Sequence, residues 1–292
     1  MKHKYFVVVL LLVVAFAGGI YFKNDLLKLQ KQFQTTPTFE KIKEGLTDLQ
    51  VMQKQIITPP PLKKFVSGVN ADRVSLTIDG IISQTNIQRA KYGFMALKAN
   101  TKLNVAAETK LNDMFNKQYF EHLSPNGTGP GELADGAGYK YIMVGENLAL
   151  GIFENDQKLV DAWMESPGHR ENILRSGYKE MGAAAGKGLY KGEIVWMAVQ
   201  EFGRPLSDCP APNENIKLSI DALKMQTQAL SVQIETMAAE LEQKRTGHDR
   251  DYNDRVGEYN AIVANYNAIL EELKQKIGVY NAQVNAFNAC TQ

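Results

Sequence analysis

Three side chains carry most of the chemistry this sequence offers. His122 closes the run "NKQYFEH" ahead of a Gly- and Pro-rich stretch, His169 lies in "SPGHRENIL", and Glu146 stands beside a glycine in "VGENLALG", Val144 to Gly151. Of the four histidines, His3 belongs to the leader and His248 to a helical turn, which leaves two imidazoles for a site. Both flank chain breakers, where binding residues concentrate. Two neutral imidazoles and a carboxylate make a zinc-type triad with a fourth position open to water or substrate. The same groups serve equally well as hydrogen-bonded ties between loops. No H-E-x-x-H, cysteine cluster or Gly-x-Ser-x-Gly occurs, so no standard local motif of a metalloprotease or serine hydrolase supports the catalytic reading.

The elements that must position these residues can be read from periodicity. Amphipathic helices are expected over Leu76 to Tyr92 and Thr101 to Tyr119, followed by the loop "SPNGTGPG", which no regular element crosses. A third helix is expected over Asn155 to Glu165, stopping at the Pro167-Gly168 breaker. "KEMGAAAGKGLYKGEIVWMAVQEF" reads as two strands joined by a glycine-containing turn. Helices with a small antiparallel sheet predict an α+β domain, an α/β sandwich over residues 67–207, with Trp163 and Trp196 in its core.

Beyond it, Val256, Tyr259, Val263, Tyr266, Leu270, Leu273, Ile277, Tyr280, Val284 and Phe287 alternate spacings of three and four. Ile216, Ile220, Leu223, Thr227, Leu230, Ile234, Met237 and Leu241 do the same. That is the seam of a coiled coil. Gly247 ends one helix and Asp249 caps the next, which predicts an antiparallel hairpin over 209–292. Folding about that turn brings Cys209 and Cys290 to the same open end. A bridge there would stabilise the hairpin by roughly 4 kcal/mol in the chain-entropy model. Two free or intermolecular cysteines at one end of a dimeric coiled coil are the alternative. Asn260, Asn267, Asn281 and Asn288 recur beside the seam and read as a polar flank before a recognition stripe.

The 292-residue chain balances 33 basic against 32 acidic side chains, which leaves no electrostatic footprint for nucleic acid. Residues 1–23 put Lys2 and Lys4 ahead of an uncharged run from Tyr5 to Phe22. As a helix that run covers roughly 27 Å, just enough for a bilayer core. Ala15 and Ala17 before Gly18 also make an A-x-A cleavage site, so the leader is either a membrane anchor or a cleaved signal peptide. Both place the remainder outside the cytoplasm, where two cysteines pair. Residues 24–66 read as a short stalk helix, capped by Thr38 and carrying Phe39, Ile42, Leu46, Leu49 and Ile56. The prolines Pro59 to Pro61 end it as a stiff linker.

"TNIQRAKYGFMALKANTKLNVAAETKLNDMFNKQYFEHLSPNG", "GENLA", "WMESPGHRENIL" and "VQEFGRP" together resemble the bacterial branch of the CAP superfamily, or SCP domain, which includes cysteine-rich secretory proteins, antigen 5 and plant pathogenesis-related proteins. The resemblance spans Leu76 to Pro205 and leaves the leader, stalk and coiled coil uncovered. It implies an α-β-α sandwich with a central cleft lined by a His and Glu tetrad able to hold a divalent metal. His122 matches the first histidine and Glu146 the glutamate of the GEN signature. A second glutamate falls at Glu165 or Ser166, and the strand histidine aligns with Met197, so His169 would have to supply that imidazole from elsewhere. Within that fold Gly145 lets the backbone turn, Glu146 aims at His122 and Asn147 holds the turn.

Three functions follow. The first is a binding module holding a lipid, glycan, peptide or envelope partner in the cleft, since lipid or sterol binding is associated with some family members and no general catalytic activity is agreed. The second is a metal-dependent hydrolase of cell-wall or peptide substrates, with zinc on His122 and His169 and Glu146 as general base. The third is an envelope scaffold acting through its coiled coil.

Overall fold

The computed structural model describes residues 45–65, 74–247 and 251–292. The leader, the start of the expected stalk helix with Thr38, Phe39 and Ile42, and His248 and Asp249 lie outside them. Among the described residues no helix is long and apolar enough to cross a membrane. The chain divides into two compact units, one of Asp48–Pro212 with Ala282–Gln292 and one built on Asn213–Asn281.

The first unit is an α+β sandwich in three layers. Its sheet is ordered β1-β4-β6-β5-β3, with β2 also on β4: β1 Gln55–Ile57, β2 Leu62–Phe65, β3 Lys98–Ala99, β4 Tyr141–Ile152, β5 Glu180–Tyr190 and β6 Glu193–Pro205. β4, β6 and β5 pair antiparallel, and the short β1, β2 and β3 add parallel. β5 and β6 join through Lys191 and Gly192, both at positive φ, the backbone that a two-residue hairpin turn with matching twist requires.

One face of the sheet carries α2 (Thr101–Lys117), which buries Ala107, Leu111 and Met114 on Leu148, Leu150, Met197 and Val199. The other carries α1 (Ile78–Lys91), α4 (Asp156–Glu165) and α5 (Pro167–Leu174), packed around Trp163, Ile173, Ala198 and Phe202. Helix α3 (Pro130–Gly136) lies on the connection into β4. Thr77, Asn100 and Asn155 start α1, α2 and α4 by accepting from first-turn amides.

Three local expectations change. "VGENLALG" is no turn but the middle of β4, buried almost throughout. With layers on both faces, its apolar run has no alternation, and a two-faced strand cannot be told from a loop by its glycines. "SPGHRENIL" is a helix, because Pro167 occupies its first turn, where a missing N–H costs nothing. Residues 46–54 hold no helix, and Ile56, expected on the stalk, lies in β1. The prolines that follow join β1 to β2, with Pro59 buried and Pro60 exposed.

In the second unit, α6 (Glu214–Gly247) and α7 (Tyr252–Thr291) bury the heptad positions Ile220, Leu223, Thr227, Ile234 and Met237 and, facing them, Val263, Leu270, Leu273 and Ile277. Asn281 Oδ1 accepts from Thr47 N at 2.8 Å, and its amide donates to Gly45 O. The end of α7 belongs to the first unit. There Asn288 repeats this grip on Gln50 N and Asp48 O, and Cys209 and Cys290 form a disulfide. Arg204 donates to the Cys290 carbonyl beside it. Two of the four asparagines read as a polar flank therefore clasp an extended backbone.

Candidate functional site

His122 follows α2 and reaches Glu146 of β4. Its Nδ1 lies 2.6 Å from Glu146 Oε1, and its Nε2 lies 2.5 Å from the carbonyl oxygen of Pro59. A carbonyl can only accept, so Nε2 is the donor in that bond, and Nδ1 is left to pair with the carboxylate. Both ring nitrogens are thus engaged. Gly145 is required beside Glu146 because a Cβ there would sit 2.0 Å from the Tyr178 hydroxyl oxygen and 2.7 Å from Asn172 Oδ1.

Glu201, which sequence reasoning passed over, completes the acidic part. It is the cross-strand partner of Glu146, on the same face of the sheet as α2, and both carboxyls are fully buried. Burial, then the charge of Glu146 and a hydrogen bond to it, push the Glu201 carboxyl far above the usual carboxylate range. No donor among the described residues reaches Glu146 Oε2 or either oxygen of Glu201. A proton on one Glu201 oxygen, given to Glu146 Oε2, satisfies those two atoms and leaves the second Glu201 oxygen without a donor. The buried Lys110 on α2 stands nearby, donating to the His122 carbonyl at 2.6 Å and to Tyr119 Oη at 3.2 Å, its own affinity for the proton lowered by burial. The only sequence signal for Glu201 was an acidic residue in an apolar strand, and on a two-faced strand alternation does not say which way it points.

His169 stays on the other side of β4. Its Nδ1 pairs with Ser166 Oγ at 2.8 Å, and burial, then the His122 imidazole, push it down to about 4. What joins it to the site is its backbone, whose carbonyl accepts from Asn147. Behind Glu146 a directional relay of buried side chains runs from Tyr178 Oη to Asn172 Oδ1, from Asn172 Nδ2 to Asn147 Oδ1, from Asn147 Nδ2 to Gln200 Oε1 and from Gln200 Nε2 to Thr85 Oγ1. Each donor finds an acceptor, so the relay ties β4, β6, α1 and α5 together at fixed geometry. The asparagines of "GEN" and "HREN" are its central members. Arg89 adds a cap to α5, donating to the carbonyls of Ile173 and Arg175.

Glu165 does not come to the cleft. Its side chain is 70% exposed and pairs with Lys64 at 2.7 Å. Met197, where the resemblance places a strand histidine, is core on the α2 face. The four groups expected around a zinc ion therefore do not converge, and among the described residues no three His, Cys, Asp or Glu side chains are placed to hold a metal. With His122 bonded on both nitrogens and Glu165 outside, the residues present do not fit a zinc centre.

A three-layer sandwich in which the glutamate of the GEN motif meets a histidine that follows the second helix agrees with what the resemblance to the CAP superfamily implies. Residues 82–202 match the sequence profile of the Cysteine-rich secretory protein family, CAP. Two relatives are from Bacillus subtilis (strain 168). The uncharacterized protein YkwD is 36% identical over 122 residues, which cover 42% of this chain and 45% of YkwD. The uncharacterized membrane protein YlbC is 28% identical over 116 residues, 39% of this chain and 33% of YlbC. The chain thus spans less than half the length of either. Among solved structures, an extracellular protein containing a SCP domain from Bacillus anthracis str. Ames aligns at 25% identity and a TM-score of 0.37, covering 44% of this chain and 40% of that one.

Proposed function

We propose that this protein works outside the cytoplasm as a binding module, its CAP domain holding a ligand at the His122–Glu146 edge of the sheet. The Cys209–Cys290 bridge supports the compartment, since structural disulfides persist where thiols are not kept reduced. One observation supports the binding reading: His122 Nε2 holds the Pro59 carbonyl of an extended segment of the chain itself, so this edge already binds main chain through a hydrogen bond. A hydrolase would need that nitrogen for metal and Glu146 free to take a proton from water. Here Glu146 is sealed from solvent between His122 and Glu201.

Zinc calorimetry on the full chain tests this, beside His122→Ala and His169→Ala. No saturable one-site uptake is expected in any of the three. Stoichiometric zinc binding by the wild type, abolished by both substitutions, would overturn the reading in favour of metal-dependent hydrolysis.

A further inference from the structure

β4 would be an edge strand of the sheet were it not for the segment from Lys54 to Phe65 laid along it. That strap pairs parallel with β4 twice, Gln55–Ile57 on Met143–Gly145 and Leu62–Phe65 on Ala149–Ile152. Between the two ladders, four strap residues, 58–61, face three of β4, 146–148, so the strap bulges away just where the site lies. Three of the four are prolines, which have no N–H to give a ladder and suit the gap.

The bulge is fitted to the site. Pro59 is buried, its carbonyl oxygen accepts from His122 Nε2, and its ring lies where a side chain on Gly168 would be, 2.9 Å from the Cβ that residue lacks. Ile57 and Leu62 pack on the apolar core to either side. At the ends, Lys54 pairs with Asp135 at 2.6 Å and lies over the Tyr141 ring, and Lys64 pairs with Glu165 at 2.7 Å. Each lysine stands five residues from Pro59, and each meets a carboxylate, half-buried at Asp135 and exposed at Glu165. The strap thus satisfies a sheet edge, a carbonyl-seeking histidine, a proline-sized gap over a glycine and two acidic ends. Those are the determinants by which an extended peptide is recognised through strand addition, with main-chain bonds giving affinity and side-chain pockets giving selectivity.

We propose that this edge of β4 is the docking groove for an extended, proline-centred segment of a partner protein. The segment runs parallel to β4, sets a proline carbonyl on His122 Nε2 and places basic residues against Asp135 and Glu165, and the strap is its built-in competitor. The proposal rests on the binding-module reading and names its ligand class. A tethered strap has an effective concentration in the mM range, so a free segment of equal fit binds the intact protein weakly and the strap-loosened protein well.

The test is fluorescence anisotropy with a labelled peptide of the strap sequence, "KQIITPPPLKKF", titrated against full chains. An Ile57→Asp, Leu62→Asp double variant, which removes the strap's apolar anchors, is expected to bind it at least ~10-fold tighter than the wild type. Replacing the three prolines of the peptide by alanine, or both end lysines by glutamate, or adding His122→Ala to the protein, is each expected to weaken binding about fivefold or more. No gain in a loosened variant that still melts cooperatively, or equal binding of a reversed-sequence peptide, would overturn the proposal. Should the double variant not fold, Lys54→Glu with Lys64→Glu in the protein serves instead, since it removes the strap's two end ion pairs and leaves the β4 groove unchanged. Absence of gain in that variant is equally fatal. Silence toward peptide without zinc uptake removes only the peptide class, whereas zinc uptake lost with His122→Ala removes the binding reading too. Dimers of the wild type by light scattering, with no peptide taken up by the loosened form, would assign the groove to the strap of a second copy and overturn the proposal.

Discussion

At the scale of single residues, the buried Glu201 is the feature with the clearest pH signature. Its folded carboxyl holds a proton to a higher pH than the unfolded one, so the stability it contributes is present below the unfolded value near 4.5 and fades as pH rises through the folded value. Glu201→Gln keeps a donor for Glu146 and removes the ionisable group. The variant is therefore expected to melt at a higher temperature than the wild type at pH 8 and at nearly the same temperature at pH 4.5, by differential scanning calorimetry at both pH values. A lower melting temperature at pH 8 would mean that Glu201 is ionised there and held by Lys110. Glu146 and His122 were legible in the sequence because the motifs of the family resemblance singled them out, whereas their spacing alone left them as ready to tie loops together as to form a site. Glu201 and Lys110 were not, since what makes them matter is the register of β4 against β6 and the face on which α2 lands, neither of which a local pattern encodes.

At the scale of elements, α7 grips the segment ahead of the strap through asparagines one heptad apart. Seven helical residues rise about 10 Å, close to the reach of three extended residues, so successive clasps fall on residues 45–47 and 48–50 without stretching either partner. Asn288→Ala deletes both bonds of the second clasp. A loss of about 1–2 kcal/mol in urea-melt stability is expected, together with faster amide exchange at Gln50. Unchanged exchange there would show that the segment is held by other contacts. The heptads themselves were plain in the sequence, because a seam of regular period is a local signal. Its asparagines were not assigned a partner, since a polar position beside a seam looks the same whether it faces water or a peptide bond. The strands along β4 were hidden for a related reason: β1 and β2 are three and four residues long, too short for an alternation to register, and triple proline argued for a linker.

At the scale of the whole molecule, the disulfide changes what the chain is in covalent terms. All of α6 and all of α7 but Thr291 fall within the loop closed by Cys209 and Cys290, 81 residues apart, so the protein is a closed ring with the rest of the first unit as its tail. A single protease cut at a cleavage site engineered at residues 248–250 opens the ring without dividing the molecule. On a gel without reductant the nicked protein is expected to run as one species of 32.6 kDa when the full chain is used, and with reductant as two. Two pieces without reductant would mean that the bridge had not formed. Reduction after the cut would do more than separate bands, because the released piece carries Asn281 and Asn288. In an oxidising compartment a nicked molecule keeps the helix that holds the approach to its strap, and in a reducing one it has no covalent hold on it.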